Sequence, residues 1–107
     1  MEKADSRVTI NLVGVLKITT GIEEVALNLE DNDTIGTILS RLVKMHPVLG
    51  QELYNKSGEV HKYLNVFVDN KPVLQENLND IPIQHSTTLT LVMAVGGGYQ
   101  TLWKNPK

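Results

Sequence analysis

Apolar and polar residues alternate along residues 7–13, with Val8, Ile10 and Leu12 on one face and Thr9 and Asn11 on the other. A period of two is that of a strand with one buried face, so this segment is predicted to be a strand. The apolar pattern resumes through Leu16 and Ile18 and breaks at Thr19-Thr20-Gly21. A second alternation sets Val25, Leu27 and Leu29 against Glu24, Ala26 and Asn28. Two such runs joined through a glycine-containing turn predict a β-hairpin. The period then changes: Ile35, Ile38, Leu39, Leu42 and Val43 fall at helical spacing and form one apolar stripe. Asp33 stands where an N-cap is expected, since a carboxylate can accept the free N–H groups of the first turn. Pro47 ends this helix near Met45 or His46 and starts a second, short one through Tyr54. Residues 55–59, with Ser57-Gly58, read as a loop. Strand periodicity returns at Leu64, Val66 and Val68 and stops at the turn-forming Asp69-Asn70-Lys71-Pro72. Val73-Leu74 reads as a short edge strand and residues 75–86 as an irregular polar stretch. In the last strand Leu89, Leu91 and Met93 alternate with Thr88, Thr90 and Val92. The order β-β-α-β-β-β describes an α+β domain, one sheet covered on one face by a helix.

Composition narrows the function classes. A chain of 107 residues with 41% hydrophobic side chains can build one ordinary core, and 21% charged residues do not suggest disorder. Ten basic against 12 acidic side chains leave no basic excess for phosphate, so nucleic acid is not an expected partner. Without cysteine there are no disulfides, thiolate metal sites or cysteine nucleophiles. No apolar run approaches the roughly 20 residues of a membrane helix. Met1-Glu2-Lys3-Ala4-Asp5 lacks the apolar core of a signal peptide, so a cytoplasmic location is expected. His46, His61 and His85 have no paired spacing, and no metal site is expected. Glu23-Glu24 and Glu30-Asp31-Asp33 read as solvated turn residues, because nothing in the sequence desolvates them. Gly96-Gly97-Gly98 lacks the lysine and following helix of a phosphate loop, and no serine sits in a nucleophile elbow. The chain shows no catalytic constellation of its own and is not expected to be an enzyme or to bind a cofactor.

A hairpin, a capped helix, a middle strand, a polar stretch and a last strand ending in glycines resemble the layout of the β-grasp fold. The sequence resembles the ubiquitin-like sulfur carriers, the family of the molybdopterin synthase small subunit and the thiamine sulfur carrier. The residues carrying the resemblance are Asp33-Thr34-Ile35-Gly36 with Leu39, Met45-His46-Pro47, Leu64-Asn65-Val66-Phe67-Val68-Asp69-Asn70-Lys71, and Leu89-Thr90-Leu91-Val92-Met93-Ala94-Val95 before the glycines. The match spans residues 8–98, and the length before the glycines is more like the molybdopterin synthase subunit.

The resemblance implies a mixed sheet with first and last strands central and parallel, packed on a helix over residues 34–46. It also implies a protein cosubstrate, or the small subunit of a synthase complex, whose terminal glycine is adenylated at the expense of ATP and converted to a thiocarboxylate. By position Gly98 is that glycine, with Gly96 and Gly97 lending the freedom needed to enter a narrow active site. The implied partners are an adenylating enzyme of the ubiquitin-activating (E1-like) class, a sulfur donor and a sulfur-accepting synthase subunit. The chain departs from the simple pattern by continuing nine residues past Gly98. Residues 1–98 are thus expected to form the carrier domain and residues 99–107 an extension, removed by a processing protease in the reading preferred here. A ubiquitin-like modifier joined to target lysines, and an interaction module with a permanent tail, are the alternatives. Phe67, Val92 and Ala94 fall out of phase with the inward set and are expected to form a partner-binding patch, unless the tail, with Tyr99 and Trp103, covers them.

Overall fold

The computed structural model describes residues 6–93. Five strands form one sheet: β1 (Arg7–Val13), β2 (Glu24–Asn28), β3 (Leu64–Val68), β4 (Lys71–Val73) and β5 (Thr87–Met93). Their spatial order is β2-β1-β5-β3-β4, with β1 and β5 parallel and all other pairs antiparallel. The expected pair of interior parallel strands is thus present. Core rows run across the strands: Leu12 lies opposite Leu91, Leu91 opposite Val66, and Val66 opposite Val73.

The main helix, α2 (Ile35–Met45), lays Ile35, Ile38, Leu39 and Leu42 on that face, all fully buried. Its N-cap is Thr34, not Asp33: Thr34 Oγ1 accepts the Thr37 N–H, and Thr37 Oγ1 accepts the Thr34 N–H. This reciprocal box releases the Asp33 carboxylate for another task. The segment at residues 78–83 closes over the same helix end, where the N–H groups of Ile35 and Gly36 donate to the Ile81 and Leu78 carbonyls. Leu78 and Ile83, within a stretch expected to be polar and irregular, are buried in the core. A single 3-10 turn at Gln75–Asn77 opens that stretch. Helix α3 (Pro47–Leu53) follows with proline in its first turn, as expected, and buries Leu49 and Leu53.

The connection between β1 and β2 differs from expectation. Instead of a tight hairpin turn it contains α1 (Val15–Thr20). Gly14, at φ +63°, turns the chain out of β1, and Gly21, at φ +76°, ends the helix with its N–H on the Lys17 carbonyl. Leu16 and Ile18, two apart, share a face of a strand, but on a helix they point about 200° apart. Accordingly Leu16 is fully buried and Ile18 is 81% exposed.

Candidate functional site

The sheet face away from α2 is assembled from residues that the core alternation leaves outside. Phe67 stands opposite Thr90 on one side and Pro72 on the other, and Thr90 faces Asn11. One row further, Val92 lies between Val13 and Asn65. Phe67, Val92 and Thr90 are half-buried, and Val13 is 42% exposed. Among the described strand residues of this face Arg7 and Glu24 are charged, and Lys17 and Glu23 border it beside Asn11 and Thr90, while Thr9, Asn11, Thr88, Thr90 and Asn65 occupy its middle. A face whose middle carries no charge costs less to desolvate against a partner than a charged one.

Phe67 and Val92 therefore stand on one face, as expected from their phase. Ala94, the glycines Gly96, Gly97 and Gly98, and Tyr99 and Trp103 lie outside the described residues. The expectation missed Val13, Thr90 and Pro72, although the alternation of β1 already places Val13 opposite Leu12. Ile18 could not be placed without knowing that its segment is helical.

Because β1 and β5 are parallel, Val13 and Val92 lie side by side at the same end of the sheet. The chain leaves that end after Met93 towards Gly98, five residues on, a reach of at most about 17 Å. The face and the exit towards the glycines are thus adjacent.

No family model matches the sequence, and no curated protein matches it. Solved structures do match. SAMP1 from Haloferax volcanii superposes with a TM-score of 0.75 at 24% identity, over 86% of this chain and 99% of that one. The small archaeal modifier protein 1 from Methanosarcina acetivorans gives 0.69 at 20% identity, over 87% and 97%. A protein from Pyrococcus furiosus assigned as subunit 1 of molybdopterin converting factor gives 0.62 at 14% identity, over 84% and 99%. The chain has the β-grasp fold.

Within this β-grasp domain Asp33 is the polar centre of the helix side. It is buried, not a solvated turn residue as expected, and its carboxylate is fully engaged. Oδ1 accepts from Arg41 Nη1 at 2.7 Å and from Thr37 Oγ1 at 2.8 Å; Oδ2 accepts from Arg41 Nη2 and the Glu30 N–H, both at 2.8 Å. Arg41 also donates to the Asn28 carbonyl of β2, and the Ile83 N–H donates to the Asp33 carbonyl. Burial by itself would raise the Asp33 pKa, but the hydrogen bonds from Arg41, Glu30 and Thr37 outweigh it and hold the carboxyl below its ordinary value. Arg41 was the missing desolvated partner, eight residues away in sequence and two helical turns along α2. The network ties β2, α2 and the 78–83 segment together; it is structural support, and no group of it faces the Phe67–Val92 surface.

The histidines are dispersed. His46 caps α2, His61 Nδ1 accepts the Tyr63 N–H, and His85 is exposed. Among the described residues no three His, Asp or Glu side chains are grouped to hold a metal, and no helix is long and apolar enough to cross a membrane. A shallow groove of about 710 Å³ lies between Ser40, Tyr54, Glu59 and Asn79. Burial raises the Tyr54 phenol pKa against the opposing effect of its hydrogen bond with Ser40, so the phenol stays protonated at neutral pH.

Proposed function

We propose that the protein is a ubiquitin-like sulfur carrier, a protein cosubstrate whose chain end at Gly98 is activated and loaded by partner enzymes. The observation that carries this reading is the β-grasp topology, with interior β5 preceding Gly96-Gly97-Gly98 in sequence beside a partly apolar face with few charges. The structural neighbours, two modifier proteins and a molybdopterin factor subunit, support the general class.

In this reading a protease first hydrolyses the Gly98–Tyr99 peptide bond, freeing the Gly98 carboxylate. That carboxylate attacks the α-phosphate of ATP held by an E1-like adenylating enzyme, giving the acyl adenylate and pyrophosphate. A sulfur donor then displaces AMP and leaves a thiocarboxylate, which a synthase subunit consumes in building a molybdopterin-like cofactor or another sulfur-containing metabolite. The carrier contributes presentation: glycines let the backbone enter a narrow site, and Phe67, Val92 and Ala94 supply docking area. ATP is bound by the partner, not by this chain.

The test is to incubate the form ending at Gly98 with ATP, the adenylating enzyme of its own cell and a sulfur donor. A mass gain equal to the exchange of one oxygen for one sulfur is expected. Unchanged mass, or slower-migrating conjugates to lysines of other proteins without a thiocarboxylate, overturns the reading.

A further inference from the structure

Helix α1, inserted between β1 and β2, exposes a large apolar side chain. Leu16 anchors it in the core, the Ile18 N–H donates to the Gly14 carbonyl at 3.0 Å, and Thr20 Oγ1 donates to the Leu16 carbonyl at 2.7 Å. Gly21 closes it. On this support Ile18 is 81% exposed, whereas Ile10, Ile35, Ile38 and Ile83 of the same chain are buried. Lys17 of α1, paired with Glu23 at 3.5 Å, borders a shallow depression that also takes in Asn11, Val13 and Thr90 of the sheet face. Helix α1 therefore flanks the Val13–Val92 end of that face, the end from which the chain leaves towards Gly98.

We infer that Ile18 is a docking residue for the enzyme that adenylates the Gly98 carboxylate, a role resting on the carrier reading above. The occupant follows from reach. Gly98 lies five residues beyond Met93, so its carboxylate is at most about 17 Å from the end of β5. An enzyme enclosing that carboxylate therefore stands within about 17 Å of this end of the sheet, which α1 flanks. Because Ile18 already sits on a formed helix and is 81% exposed, burying it there requires no folding of the carrier and gains most of the transfer of an isoleucine side chain from water.

The test measures steady-state adenylation of the form ending at Gly98, which keeps the whole described fold, using ATP and the adenylating enzyme of the same cell. Ile18→Asp and the milder Ile18→Ser are compared with wild type and with Ile18→Leu. We expect the Asp variant to raise KM for the carrier about tenfold or more, with kcat and circular dichroism unchanged, and Leu to restore the wild-type value. Unchanged KM in both polar variants overturns the docking role while leaving the carrier reading intact. Failure of wild type to be adenylated removes the carrier reading and this inference with it. A full-chain dimer that dissociates on Ile18→Asp in sedimentation would assign the residue to a second copy and likewise overturn the inference.

Discussion

The Asp33 carboxylate joins Arg41 and Thr37 of α2 to the Glu30 N–H, its backbone carbonyl holds Ile83, and these neighbours determine how stability responds to acid. Its folded-state pKa lies below the ordinary value of about 3.9, so its contribution is fully present above that pH and is lost as pH falls through the folded value. Breaking a buried ion pair costs about 3–5 kcal/mol, and Arg41, with a quarter of its side chain in solvent, places Asp33→Ala near the lower end. Urea denaturation over a pH series checks both points: the variant should be weaker at neutral pH and have a flatter acid limb. An acid limb as steep as that of wild type would mean that another carboxylate governs it. The β3–β4 turn depends on Asp69 and Asn70, at φ +48° and +73°. A β-branched residue tolerates that region poorly, so Asn70→Val should cost about 1–2 kcal/mol and Asn70→Gly should be nearly neutral by the same measurement. Equal stability of the two variants would contradict the turn geometry.

At the scale of elements, periodicity made the strands and α2 legible, because Val8, Ile10 and Leu12 or Ile35, Ile38, Leu39 and Leu42 each admit a single buried face. It failed at α1, where the spacing of Leu16 and Ile18 fits an extended reading and a six-residue helix is too short to impose a period of its own. It also missed the N-cap, since both Asp33 and Thr34 are capping residue types and only Arg41, brought alongside by the fold, decides between them. On the candidate site, phase alone placed Phe67 and Val92 on the same face, whereas Ile18 required the tertiary structure. Leu39→Ala should lose about 2–5 kcal/mol in chemical denaturation, the cost of a cavity under α2. Leu16→Ala should lose a comparable amount, while Ile18→Ala should stay within about 0.5 kcal/mol of wild type. Equal losses at positions 16 and 18 would contradict the helical β1–β2 connection.

For the whole molecule, the sheet has two unlike faces: one makes the core with α2, and the other, with few charges among its described residues, is the surface proposed for partners. A charge introduced into that second face should disturb binding far more than folding. Phe67→Asp is therefore expected to weaken association with the adenylating enzyme while the melting temperature moves little, because Phe67 is outside the core cluster. Titration calorimetry at one temperature, paired with thermal unfolding, separates the two effects. Unchanged affinity would remove this face from the docking surface.

The central claim concerns the chain end, and intact mass of the protein isolated from its native cell tests it most directly. A carrier must present a free Gly98 carboxylate, because an amide-bonded glycine has nothing to adenylate. The account predicts a protein ending at Gly98, with part of it heavier by the exchange of oxygen for sulfur. Protein still ending at Lys107, in cells actively using the pathway, would contradict it.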